Sequence, residues 1–568
     1  FQDEKEDAFL QLRSDLKILL INLGQLDQDL FFEFLKSVVE NALNNWRHLP
    51  FQEVESAISM LYHVGEIVKL NAVKTGPAND KIFAMLQLLV KSDVSQHSHT
   101  AVVLAYFETV SRYERLLAVD RELVLSVVTS FLDQRGLHHP NPKVVCRTVY
   151  LFSRFVRSQK LSLSQYAQFI LTGLQDLLDG SRSLTPLLRP EQQVFLYESI
   201  GVLIISGNFQ NQEKHQYLQQ VLTNLIERFN GVLSMLNTGA GSAKERTLVV
   251  DYLNSVMINC SRLTKGFTGQ ITAQSCECQD LFVAALNVFT DAMTLTRCEL
   301  FNGYKQYLHR MVICLEGDFL PCLPKCVQCL VAATVDFRSA EDLITFLLQV
   351  IIRYKEKACP SLELVFSTVF TSIWKILSIP VEENNQVSLR ELSDLRRSYY
   401  QLLCALFSAK LSGLLNCQAP SVIEPLLDSI ADGFRSPDIT VKKAVTNATR
   451  LLINITKDFG PPGKEYFESF LMSRAIPLCF SLPCEDGFDF MDAQSLQILN
   501  EIGLIMKDIF VFRGEELYSF LYYILNSKIP APMLQELCQA VKQYDIKELQ
   551  RYLRTFFHRR FITDNIVP

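Results

Sequence analysis

Turn-forming residues are scarce in this 568-residue sequence: 22 Gly and 20 Pro leave few places for tight reversals. A fold of many short strands needs more of them, so long helices are favoured. Strict alternation of apolar and polar residues is also hard to find, whereas apolar residues recur at i, i+3, i+4 and i+7. The class is therefore all-α. No apolar run reaches the roughly 18 residues that a membrane-spanning helix needs, although 48% of the residues are hydrophobic. Positive charge is not in excess either. The formal net charge of −6 argues against general adhesion to nucleic acid and confines any such contact to local patches. The opening FQDEKEDAFL has neither an initiator Met nor a signal-peptide pattern, and a portion of a longer chain is expected. Fifteen cysteines, an odd number, are scattered through apolar stretches such as QLLCALF. Reduced, buried thiols of a cytosolic or nuclear protein are distributed in this way.

What the sequence does hold is cationic charge gathered into strips. NPKVVCRTVYLFSRFVRSQK (141–160) sets five cations among a dense set of apolar side chains. At about 100° per residue, Lys143, Arg147, Tyr150, Arg154 and Arg157 fall within an arc of roughly 80°. Val144, Val145, Val149, Leu151, Phe152, Phe155 and Val156 fill the opposite side. Pro142 stands where a helix can begin, with Asn141 as its cap. No acid lies on the basic face. Two later segments repeat the design. Lys443, Asn447, Arg450, Asn454 and Lys457 are spaced i, i+4, i+7, i+11, i+14, and Lys547, Arg551, Arg554 and His558 keep the same rhythm, with Arg559 and Arg560 beyond. Arg396 and Arg397 precede Tyr399 and can clamp phosphates or pair with Glu391 and Asp394. The bland alternative for each strip is a solvated helix face.

Polar breaks recur about every 35 to 50 residues, the interval of helix-pair repeats. HHPNPKVVCRTVYLF and FRSPDITVKKAVTNATRLL share a turn pattern of Asn or Ser, Pro, spacer, Val and cations. That pattern resembles the turn and second helix of a HEAT repeat. The expected architecture is a right-handed HEAT-repeat α-solenoid, a superhelix of antiparallel helix pairs in which each pair touches only its neighbours. One continuous solenoid is expected over 1–568, with longer loops near 181–193, 236–246, 265–280, 380–392 and 457–466.

NWRHLPFQEVESAISMLYHVGE (45–66) looks like the Trp-containing helix pair of nuclear transport receptors. TAVVLAYFETVSRYERLLAVD (100–120) and FLDQRGLHHPNPKVVCRTVYLFSRFVRSQK (131–160) resemble exportin-T, the karyopherin that carries transfer RNA out of the nucleus. KQYLHRMVICLEGDFLP, LRRSYYQLL and KELQRYLRTFFHRRF fit the same family. The resemblance spans nearly the whole chain and matches the C-terminal part of the family; the N-terminal arch, which supplies most of the Ran-GTP contact, is expected to be absent. It implies a monomeric, non-enzymatic receptor that shuttles between nucleus and cytoplasm. Such a receptor binds mature tRNA together with Ran-GTP and passes the pore through Phe-Gly nucleoporins. Neither catalytic residues nor a cofactor is expected. A karyopherin for protein cargo and a static HEAT scaffold remain as alternatives. Because second helices of HEAT pairs line the concave side, the strips at 143–157 and 443–457 are expected to face cargo. Folded RNA is recognised through phosphates, shape and 2′-hydroxyls, which suits cations with aromatic and amide groups nearby.

Other signals are set aside. Cys322, Cys326 and Cys329 share one apolar helix, and Cys276 and Cys278 form a close pair, without the paired spacing of a zinc knuckle. Asp458-Phe459-Gly460 lacks the other kinase motifs, and GAGSAK (239–244) is out of register for a P-loop. His97 and His99 fall at a helix junction. The triplets at Asn259, Asn447 and Asn454 are glycosylation sequons in form only.

Overall fold

The computed structural model describes the chain except residues 1, 67–76, 180–187, 238–241, 383, 409–410, 417, 458, 461–462, 486–487, 527 and 565–568. The side chains described exclude also those of 2–6, 77–79, 179, 237, 297, 412, 416, 463 and 559–564. Among the described residues the regular elements are all helical. The chain divides into two compact units, Phe1–Val288 and Phe289–Pro568.

The first unit contains α1 (Gln2–Leu26), α2 (Gln28–Asn44), α3 (Phe51–Val64), α4 (Pro77–Lys91), α5 (Thr100–Arg112) and α6 (Arg121–Leu132). It continues with α7 (Pro142–Ser158), α8 (Ala167–Gly173), α9 (Pro190–Ser206), α10 (Asn211–Asn237) and α11 (Ala243–Leu263). From α2 onward these form antiparallel pairs. The second helices α3, α5, α7, α9 and α11 pack side by side in one row, while α2, α4, α6 and α8 follow one another in a second row. The second unit begins within α12 (Gln279–Thr296) and repeats the plan. Its row of second helices is α13 (Phe301–Cys314), α15 (Phe337–Tyr354), α17 (Gln386–Ser408), α19 (Ile439–Thr456), α22 (Ala493–Arg513) and α25 (Ile546–Asp564). The row of first helices is α14 (Leu323–Ala332), α16 (Phe366–Leu377), α18 (Pro420–Phe434), α20 (Gly463–Phe470) running through a π turn into α21 (Ile476–Ser481), α23 (Glu516–Leu525) and α24 (Ala531–Gln543).

Local chemistry sets the starts of these helices. Asn141 Oδ1 accepts the Lys143 amide at 2.9 Å and Pro142 opens the first turn of α7. At the matching turn Asp438 Oδ1 accepts the Thr440 amide at 2.8 Å, with Pro437 just outside the cap rather than in the first turn. Several interruptions end sooner than expected. Residues 190–193 already belong to α9, and 386–392 to α17, because Asn385 Oδ1 accepts the Ser388 amide and begins the helix there. Ser242 and Glu245 form a reciprocal cap that starts α11 inside the 236–246 interval.

Burial follows the periodicity. On α7, Val144, Val149, Leu151, Phe152, Phe155 and Val156 are each 0% exposed. Phenylalanines buried to that degree contribute roughly 1.5–3 kcal/mol each. Backbone approaches backbone closely between α9 and the end of α11. A Cβ on Gly201 would lie 2.0 Å from the Leu263 carbonyl oxygen, and one on Gly266 would lie 2.4 Å from the Gly201 oxygen. Glycine is required at both positions.

Candidate nucleic-acid interface

In the first unit, α7 presents Lys143, Arg147, Arg154 and Arg157 to solvent, with Tyr150 half-buried. Acids from neighbouring helices engage two of these cations. Arg147 Nε donates to the Glu108 carboxylate on α5, and its guanidinium sits 5.1 Å from the centre of the Tyr150 ring. That ring stands edge-on to Phe195 of α9 at 5.3 Å. Arg157 Nη1 lies 3.1 Å from Glu198 Oε1, and Arg262 Nη1 of α11 lies 3.5 Å from the other Glu198 oxygen. The Glu198 side chain is 7% exposed, so the two guanidiniums supply its countercharge and hold α7, α9 and α11 together. Lys143 and Arg154 form no side-chain hydrogen bond or salt bridge among the described residues. Burial pushes the Glu114 carboxyl up, while Ser158 and the charge of Arg154 work against that shift.

The second unit brings together side chains from four successive row helices. Arg397 and Gln401 of α17, Lys443 and Asn447 of α19, Gln494, Gln497, Asn500 and Glu501 of α22, and Gln550 of α25 line one groove of about 700 Å³. Arg450 Nε lies 2.8 Å from Glu501 Oε2, close enough to neutralise the one acid in the groove wall though off line for a hydrogen bond. Arg397 pairs with Asp394 at 2.8 Å, and Arg554 Nη2 donates to Asn500 Oδ1 at 3.3 Å. Lys443 makes no ion pair among the described residues. Arg450 of α19 and Arg554 of α25 therefore reach α22 from two neighbouring helices, at Glu501 and Asn500. Arg396, one residue from Arg397, points elsewhere. It lines a separate pocket of about 370 Å³ with Trp374, Tyr400, Asp432 and Arg435.

A family model described as Exportin-T matches residues 2–561. The chain belongs to the exportin-T family. It is 32% identical to "Exportin-T" of Homo sapiens and of Danio rerio, in each case over 98% of this chain and 59% of the relative. Against "Exportin-T" of Arabidopsis thaliana it is 26% identical over 99% of this chain and 58% of the relative. The chain thus spans about three-fifths of the length of the curated relatives it matches. Its fold resembles the solved structure of importin13 in its cytosolic state, with a TM-score of 0.64 at 13% identity, covering 99% of this chain and 61% of that one.

The remaining candidates in this exportin-T chain are scattered. Lys457, Lys547 and Arg551 are exposed, and Lys457 Nζ donates to Asn454 Oδ1 at 3.1 Å. The Arg559 and Arg560 side chains lie outside the described residues, as do Asp458 and Gly239–Gly241. His99 accepts the Ala101 amide and caps α5, and Asn259 is buried with its amide on Gln193 Oε1. The Cys326 and Cys329 thiols face Thr290, and burial pushes Cys326 up to about 12. No group of three or more His, Cys, Asp or Glu suited to a metal occurs among the described residues. Of the groove's carboxamides, sequence reasoning reached Asn447 and missed Gln401, Gln494, Gln497, Asn500 and Gln550. AQSLQILNE does carry a signal, since Gln494, Gln497 and Asn500 recur every three residues, but a search for cations passes over uncharged groups.

Proposed function

We propose that this chain is part of a nuclear export receptor that binds mature tRNA together with Ran-GTP and shuttles it from nucleus to cytoplasm. Membership of the exportin-T family makes tRNA the expected cargo. The observation that carries the reading to particular residues is the groove across α17, α19, α22 and α25, where Lys443 and Arg397 stand among carboxamides and Arg554 donates to Asn500 of the wall. Lys443, Lys457, Lys547, Arg551 and Arg554 are the phosphate contacts of the second unit, and Lys143 and Arg154 those of the first. Arg147 and Arg157 serve chiefly to join helices. The receptor acts as a monomer, meets Phe-Gly nucleoporins on other surfaces and performs no catalysis of its own. Cargo and Ran-GTP favour the same curvature of the repeats, so each raises the affinity for the other.

The test is a salt titration of tRNA binding with and without Ran-GTP, comparing the parent chain with Lys443→Glu/Arg551→Glu and with Lys143→Glu/Arg154→Glu. Loss of affinity with a shallower salt slope supports the assignment. A parent chain that binds no tRNA under either condition refutes it.

A further inference from the structure

Phosphate oxygens only accept hydrogen bonds, so a surface made solely for phosphates needs only donors. The groove of the second unit is built differently. Six carboxamides line it: Gln401, Asn447, Gln494, Gln497, Asn500 and Gln550. Each carries both a donor and an acceptor. Internal hydrogen bonds use only part of this capacity. Asn447 Nδ2 donates to Cys404 Sγ at 3.5 Å, which leaves its oxygen open. Gln550 Nε2 donates to the Asn500 carbonyl at 3.2 Å, which likewise leaves Oε1 open. Asn500 Oδ1 accepts from Arg554, which leaves its own amide nitrogen. The side chains of Gln401, Gln494 and Gln497 make no hydrogen bond among the described residues. Glu501 is neutralised by Arg450, so the wall does not repel a polyanion. The groove is therefore a run of mixed donors and acceptors beside the uncompensated charge of Lys443.

A ligand that matches this pattern must itself donate and accept along its length while carrying negative charge close by. The 2′-hydroxyl does both. In A-form RNA it is displayed along a wide, shallow minor groove beside the phosphates. We propose that this carboxamide groove reads ribose 2′-hydroxyls along the minor-groove edge of an RNA helix, and that it is where the chain distinguishes RNA from DNA. The inference rests on the RNA-carrier reading above. It goes further by assigning discrimination to uncharged residues and positioning to the cations.

The experiment compares tRNA with versions in which one helical arm at a time carries 2′-fluoro in place of 2′-hydroxyl. That substitution removes the donor and keeps the A-form. The parent chain is set against Gln401→Ala/Gln494→Ala/Gln497→Ala, three side chains without internal partners. Each neutral hydrogen bond is worth about fivefold. The parent should bind one of the arm-substituted RNAs at least about tenfold more weakly than all-ribose tRNA. In the triple variant that difference should shrink by about fivefold or more, the share of the deleted side chains, with the salt slope unchanged because the phosphate contacts remain. A parent indifferent to 2′-fluoro in every arm overturns the inference, and so does a triple variant that keeps the difference. A parent that binds no RNA overturns the carrier reading itself. If a basic peptide then binds the parent and not the triple variant, the groove belongs to protein cargo.

Discussion

The Glu198 clamp gives the most demanding test of how the α7 strip is used. Arg157 and Arg262 are 52% and 32% exposed, whereas the carboxylate between them is 7% exposed. Arg157→Ala or Arg262→Ala alone leaves Glu198 one partner, and half-exposed pairs of this kind are worth about 0.5–1 kcal/mol. Removing both strands a buried carboxylate, which costs about 3–5 kcal/mol. The double variant should therefore exceed the sum of the singles by about 2 kcal/mol. Adding Glu198→Gln to the double variant should recover most of the loss, because the buried charge is gone. A repeat array need not unfold in one step, so hydrogen exchange of the α9 amides is a better readout than a melting curve. A difference of 2 kcal/mol appears there as about thirtyfold faster exchange. Additive singles, or a triple variant no better than the double, would refute the clamp. If Arg157→Ala weakens tRNA binding while α9 exchanges normally, Arg157 faces phosphate instead.

Three further outcomes follow from the same structure. Gly201→Ala forces a methyl against the Leu263 carbonyl, and such overpacking against backbone should cost about 3 kcal/mol or more, read as accelerated exchange in α9 and α11; parent-like exchange would sink the argument. In iodoacetamide labelling at pH 8 followed by mass spectrometry, exposed Cys146 should react first, while Cys326 and Cys479, whose thiols burial holds far above the usual range, should react only after denaturant is added. Equal labelling rates would show that the repeats open freely. Lys443→Gln should lower the salt slope of tRNA binding by about one, the signature of one lost phosphate contact; an unchanged slope places Lys443 away from the backbone.

The helix pairs were legible because their boundaries are local: Asn141, Asp438 and Ser242 cap helices using residues two or three positions away. The apolar back of α7 was legible for the same reason, since i and i+4 positions share a face. The acids opposite the strip were harder to see because a helical wheel covers only one helix. Arg147 and Glu108 are 39 residues apart, Arg13 and Glu55 are 42 apart, and Arg474 and Asp428 are 46 apart. These separations are the repeat length, as expected when each row helix touches the next. Gln401, Asn447 and Gln494 are likewise spaced by about one repeat, and Gln550 follows after a repeat lengthened by an extra helix. Aligning the sequence on its own period, and not only on the helical turn, would have brought both the ion pairs and the carboxamide column into view.

Buried side chains such as Val144, Phe152 and Phe155 form a cushion between α7 and its neighbours in the first unit. Gly201 and Gly266 remove such a cushion, leaving main chain against main chain where α9 meets the end of α11. A contact without side chains has no compliant layer to shear, so it behaves as a rigid coupling in an otherwise springy stack. Any change of pitch in the first unit must then be absorbed at joints on either side of this one, such as α5 against α7, where longer side chains and the Arg147–Glu108 pair can slide and re-form.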